Sequence, residues 1–217
     1  MHRFTLGGGR YSATEPFREM PVIDVSALAT YFAVMCITPG PNNVMVTASG
    51  AAFGYRATLP HLVGIAIGAA LQLVLVALGF GLVFQKFPVL HTALALGGAV
   101  YLLYLAWRLC QAGSVAEIES RRPFTILKAM LFQIVNPKAW VMAVTTAAVF
   151  LPRDAPYSQI VVIVGGVFLA VCFPCASAWA LFGSGVRRLL LQPAYRRVFN
   201  VTMSILLAFT AILGLRD

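Results

Sequence analysis

The feature that most limits how this chain can fold is the recurrence of apolar stretches about 20 residues long, which fill nearly all of it from Ile23 onward. A helix of about 20 residues rises about 30 Å, the thickness of the hydrocarbon core of a bilayer. Six such stretches are legible: Ile23 to Ala52, His61 to Phe84, Pro88 to Trp107, Phe124 to Leu151, Ser158 to Phe182 and Val198 to Leu215. In hydrocarbon every backbone N–H and C=O needs a protein partner, so stretches this long predict helices. Only 11% of the 217 residues are charged and 60% are hydrophobic, whereas a soluble domain carries roughly a quarter charged residues. The expectation is an all-α integral membrane protein of about six transmembrane helices, one domain over residues 20–217.

Residues 1–19 read differently, with Gly7-Gly8-Gly9 and scattered charges. They lack the apolar core of a secretory signal. They are expected to be a disordered tail or a non-native upstream extension, with Met20 a rival to Met1 as the start. The formal charge of +9 collects in short loops rather than along a polar face, which argues against nucleic acid as a partner. Loops after the first, third and fifth spans carry Arg56, then Arg108, Arg121, Arg122 and Lys128, then Arg187, Arg188, Arg196 and Arg197. The opposite loops carry Lys86, Arg153 and Arg216, a bias of nine to three with the tail set aside. By the positive-inside rule the odd loops are expected in the cytoplasm and both termini outside. The three tail arginines narrow the bias to nine against six.

The two halves of the chain resemble each other. Ile37-Thr-Pro-Gly-Pro-Asn-Asn-Val-Met-Val-Thr aligns with Ile134-Val-Asn-Pro-Lys-Ala-Trp-Val-Met-Ala-Val at an offset of 97 residues. Ile37/Ile134, Val44/Val141, Met45/Met142, Ala51/Ala148 and Phe53/Phe150 are identical. Each segment opens a group of three spans, over about 20–110 and 123–217. Halves with an odd number of spans have opposite topology, the inverted-repeat plan of many secondary transporters.

Each segment also carries a helix breaker. Pro39-Gly40-Pro41 falls about 16 residues into the first span, well inside the bilayer. Two prolines remove two donors and clash with the preceding turn, so the helix is expected to split. Carbonyls are freed on one side, and the N–H groups of Asn42, Asn43 and Val44 begin a second half-helix whose partial positive charge suits a carboxylate. The fourth span repeats the device with Asn136-Pro137-Lys138, where Gln133 and Asn136 share a face. Lys138 is the one ionisable residue deep in a span, a costly placement that marks a functional site unless the side chain snorkels outward. A lone proline kink is commonly structural. Two matched breaks beside Asn, Gln and Lys define a candidate substrate site of Pro39, Gly40, Pro41, Asn42, Asn43, Gln133, Asn136, Pro137 and Lys138.

Other features carry less chemistry. Gly50/Gly54, Gly64/Gly68, Gly97-Gly98 and Gly165-Gly166 are expected to mark close helix packing. Pro60, Pro88 and Pro123 fall at span starts, where a missing N–H costs little. Tyr101, Tyr104 and Trp107 fit an interfacial belt anchored by Arg108, and His61 and His91 are expected to be interfacial rather than proton relays. The cysteines, Cys36, Cys110, Cys172 and Cys175, read as small core hydrophobes. Cys172-Phe-Pro-Cys175 is also a CxxC, so a membrane thiol–disulfide electron conduit is the alternative function. The spans hold no cluster suited to a metal, no cofactor is expected, and the oligomeric state stays open.

Thr38-Pro-Gly-Pro-Asn-Asn, Gly64-Ile-Ala-Ile-Gly68, Ala99-Val-Tyr-Leu-Leu-Tyr-Leu-Ala-Trp and Asn136-Pro-Lys together resemble the LysE/RhtB family of amino-acid exporters. The doubled Asn42-Asn43 and Phe132-Gln-Ile-Val-Asn136 look most like its cysteine/O-acetylserine exporter branch. The resemblance implies a multi-pass protein of the bacterial inner membrane, not an enzyme. It implies a secondary transporter that exports an amino acid and is driven by the ion gradient. One departure matters: Ala69 and Ala70 stand where many family members place an acid, and no Asp or Glu occurs between Asp24 and Glu117. A cationic substrate would want that counter-charge, so a small neutral amino acid is expected: cysteine or O-acetylserine, or one like homoserine, threonine or leucine.

Overall fold

A computed structural model describes residues 23–80, 86–111, 123–152, 156–213 and 215. The tail with both candidate starts, Arg121, Arg122, Arg153 and Arg216 lie outside the described residues, as does the side chain of His91. All regular structure among the described residues is helical.

The first span is two helices, α1 (Val25–Ile37) and α2 (Pro41–Phe53). At 13 residues each rises about 20 Å, so neither crosses the core alone and the pair does. The side chain of Asp24 caps α1 by accepting the Ser26 and Ala27 N–H groups at 3.0 Å. Gly54, with φ of 82°, links α2 directly to α3 (Tyr55–Leu75), which continues through a π turn at Val76–Phe80. The third span is α4 (Pro88–Cys110). The fourth is again split. Here α5 (Ile126–Phe132), capped by the Thr125 hydroxyl, tightens into a 3-10 turn at Gln133–Val135 and breaks at Asn136 before α6 (Pro137–Thr145). Then α7 (Tyr157–Val186) and α8 (Pro193–Leu213) complete six spans. Four of these are single helices long and apolar enough to cross a membrane, α3, α4, α7 and α8. The interrupted first and fourth spans expected from the prolines are present.

Packing follows the repeat. The first span lies along α7 and the fourth lies along α3, while α3 crosses α7 and α4 pairs with α8. Exchanging the halves exchanges these contacts, as a two-fold relation between them requires. The core around Phe32, Leu62, Leu73 and Phe168 joins α1, α3 and α7, and the Phe32 and Phe168 rings meet edge to face at 5.2 Å. A smaller cluster of Leu102, Phe132, Met203 and Leu207 ties α4 and α8 to the breaks.

Lipid is as apolar as leucine, so close backbone approach and interhelical hydrogen bonds hold such a bundle together. Gly50 lies against the Ala180 backbone, Gly64 against Ile126, Gly68 against Met130 and Gly98 against Val135, as expected of packing glycines. Others serve differently. Gly54 is a left-handed linker, not a packing site, because α2 and α3 turn sharply there. Gly97 and Gly166 face open space, and Gly183, which the spacing did not single out, lies on Thr47.

Pro60 is not at a span start. The helix α3 begins five residues earlier, so Pro60 sits past its first turn and removes a donor from the ladder. Ser204 Oγ donates to Ala106 O at 2.8 Å and stitches α8 to α4. Ser204→Ala is expected to cost about 0.6 kcal/mol, read as a small fall in the unfolding midpoint of the purified protein with export intact.

Candidate functional site

The two breaks meet. Asn42 Nδ2 donates to Gln133 Oε1 at 3.0 Å, and Gln133 Nε2 returns a bond to Asn42 Oδ1 at 3.2 Å. Gln133 Nε2 also reaches Ala129 O at 2.9 Å, and Asn136 Nδ2 reaches Gln133 Oε1 at 3.3 Å. Asn43 faces the other way, and its Nδ2 donates to Cys36 O and Thr38 O, each at 2.8 Å. Its amide thereby closes the carbonyl end that the prolines opened.

Lys138 crosses from one break to the other. Its Nζ donates to Thr38 O and Thr38 Oγ1 at 2.8 Å and to Pro39 O at 3.2 Å. These carbonyls follow directly on α1, at the partially negative end of a half-helix, and they give the ammonium its counter-charge. Gly40 makes the crossing possible, since a Cβ there would stand 2.8 Å from Lys138 Cδ. Of the nine residues singled out from sequence, the structure thus gathers Asn42, Gln133 and Asn136 into one amide cluster. Lys138 and Asn43 gather at the carbonyls of Cys36, Thr38 and Pro39. Pro39, Gly40, Pro41 and Pro137 shape the backbone.

The carbonyls before the two breaks each accept from an indole, though the indoles come from positions that do not correspond in the repeat. Ile37 O accepts from Trp179 Nε1 at 3.1 Å, and Ile134 O, its counterpart, accepts from Trp140 Nε1 at 2.8 Å. With its amide turned to satisfy both atoms, Gln72 of α3 donates to Gln133 O at 3.1 Å and accepts from Trp140 Nε1 at 3.2 Å. Sequence reasoning missed Gln72, Trp140 and Trp179. A lone glutamine in an otherwise apolar span was the available signal for the first. The indoles gave none, because nothing local says which carbonyl an indole will reach.

Two polar features stand out where the breaks meet. Val44 N–H is the first of α2 with an intrahelical acceptor, Gly40 O at 3.0 Å, so the Asn42 and Asn43 N–H groups head the helix and project from its positive end. Asn136 Oδ1 is buried and has no partner. A cavity of about 40 Å³ lies between the breaks, bounded by Gly40, Asn42, Asn136, Lys138, Phe168 and Cys172. It is too small for an amino acid.

His61 is not on the surface of the bundle. It is 1% exposed and stacked on Phe124 at 4.9 Å, because α3 starts before it and draws it inside the bundle. The described cysteines are all free, and Cys172 is buried beside Cys36, not in the accessible setting that a redox pair needs.

Six spans around two facing helix breaks, with polar backbone turned inward at mid-depth, define a membrane transporter. The profile of the LysE type translocators matches residues 33–217, and the chain belongs to that family. It is a multi-pass protein of the bacterial inner membrane. A Shigella flexneri serotype 5b protein named cysteine/O-acetylserine efflux protein is 30% identical over 200 residues, 89% of this chain and 98% of its own length. One of the same name from Escherichia coli strain K12 is 29% identical over 195 residues, 87% of this chain and 95% of its own. No solved structure matches the chain.

Proposed function

We propose that this protein exports a small, neutral amino acid across the inner membrane, with the ion gradient as the driving force. A zwitterion needs donors for its carboxylate and an acceptor for its ammonium. The Asn42 and Asn43 N–H groups, with Lys138 beside them, supply the first. Asn136 Oδ1 supplies the second, and its burial without a partner is the observation that carries the reading, since such an atom is costly unless a donor arrives. The Asn42–Gln133 pair orients both ends. The names of the relatives favour cysteine or O-acetylserine, and a homoserine-, threonine- or leucine-like substrate fits the same chemistry.

Because the present cavity is smaller than an amino acid, binding requires the halves, residues 20–110 and 123–217, to move relative to each other. Alternating access by rocking of inverted repeats meets that need. The arginine-rich loops would face the cytoplasm. A strain overexpressing the protein should resist toxic analogues of its substrate and stay sensitive to the rest. A panel spanning cysteine-, homoserine-, threonine-, leucine- and lysine-like analogues reads out the class. Resistance to none, with the protein present in the membrane, overturns amino-acid export, and resistance to the lysine analogue alone overturns neutrality.

A further inference from the structure

A second cavity, of about 220 Å³, lies towards the arginine-rich end of the bundle between α2, α4 and α8. Its chemistry differs from that of the break. The walls are apolar, with Ala52 and Phe53 of α2, Leu105 of α4 and Phe199 of α8 among them. Three cations line it: Arg108 at the end of α4, Arg187 after α7 and Arg196 in the first turn of α8. All three are half-buried, whereas their chain neighbours Arg188 and Arg197 are exposed. Arg108 holds the Tyr104 hydroxyl through Nη1 at 2.8 Å, which leaves its other N–H groups for a ligand. His61 lines the same space, almost wholly buried, and neither ring nitrogen has a partner. Among the described residues, no carboxylate lines the cavity.

These features describe the missing occupant. Three guanidinium groups without an acid select net negative charge, which a zwitterionic amino acid lacks. The apolar walls select a hydrocarbon body. The unpaired imidazole N–H calls for an acceptor between the two. An anionic phospholipid has all three parts in that order: phosphate, ester carbonyl, acyl chain. Basic pockets between helices at the cytoplasmic surface are where such head groups bind, and the arginine bias puts this end of the bundle at that surface.

We propose that this cavity is a binding site for an anionic phospholipid. The phosphate is held by Arg108, Arg187 and Arg196, one ester carbonyl accepts from His61, and an acyl chain lies between α2, α4 and α8. The site is separate from the helix breaks, since neither Asn42 nor Lys138 lines it, and it does not depend on what the protein carries.

The test uses the full chain, delipidated in a mild detergent, with phosphatidylglycerol or phosphatidylcholine of identical chains added back. Phosphatidylglycerol in about 100-fold excess over its Kd is expected to raise the unfolding midpoint by about 5 °C, and phosphatidylcholine to leave it unchanged. The shift should survive in R188Q/R197Q, whose residues are exposed and do not line the cavity, and vanish in R108Q/R187Q/R196Q. It should also vanish in Ala52→Phe, which keeps every arginine and fills the cavity. His61→Phe should retain part of it. Native mass spectrometry should find one phosphatidylglycerol retained on the wild type and none on Ala52→Phe. Equal shifts from both lipids, or a full shift in the triple variant or in Ala52→Phe, overturn the site. A full shift from glycerol 3-phosphate alone makes the ligand a soluble phosphate and overturns the lipid.

Discussion

Export by Lys138→Met is expected to fall about thirtyfold against wild type at equal membrane protein levels. The ammonium makes three contacts with the Thr38 carbonyl and hydroxyl and the Pro39 carbonyl, just past the end of α1, each 3.2 Å or shorter. Methionine matches the stem and removes both the charge and the donors. Losing a charge-assisted clasp of this kind costs about 2 kcal/mol, which is about thirtyfold if the clasp forms in the rate-limiting state. The same geometry yields a second variant, at the residue the lysine crosses. Gly40→Ala leaves the lysine in place but drives a methyl into its stem, so the ammonium must swing off Thr38. Both variants should lose export together. Unchanged export in Lys138→Met removes the residue from the mechanism, and a loss confined to Gly40→Ala assigns the effect to crowding at the break.

Gly183→Leu is expected to abolish the folded protein. A Cβ at Gly183 would meet the Thr47 carbonyl oxygen, and its next neighbours are Thr47 C at 2.9 Å and Cα at 3.0 Å. All three are backbone atoms of α2, so no side chain can rotate away. From the other side Gly50 approaches the Ala180 backbone in the same manner. Overpacking a core with room to relax costs about 1–3 kcal/mol. Here the alternative is to part α2 from α7, and that is the contact that holds the first break in place. Gly185→Leu is the control two residues along the same helix, where nothing lies within 4 Å of a Cβ. Size-exclusion profiles of the two variants in detergent decide the matter. Gly183→Leu should aggregate and Gly185→Leu should elute as wild type, and identical profiles would refute the close approach.

The site was half legible beforehand, and the division is physical. Proline acts through its own missing N–H and its own ring, so the breaks at Pro39-Gly40-Pro41 and Asn136-Pro137 fell where local chemistry placed them. The partners of the freed groups did not. Lys138 reads as a solute-facing group, but nothing near it in the chain names Thr38, a hundred residues away, as the group it holds in this structure. Asn43 was grouped with Asn42, yet it turns back to α1 while Asn42 turns to Gln133. Gln72 and the two indoles complete the cluster from helices whose faces no pattern distinguished.

By itself the sequence determined the number of spans, the depth of both interruptions and the internal repeat. Each depends on segment length against bilayer thickness or on a residue acting on its own backbone. The tertiary structure alone decided that His61 is buried, that Gly183 packs while Gly166 does not, and that one lysine serves both breaks. In a soluble helix the polar face tells the apolar face where to go. These helices are apolar all round and lipid is no worse a neighbour than leucine, so only the fit of one surface against another chose which faces meet.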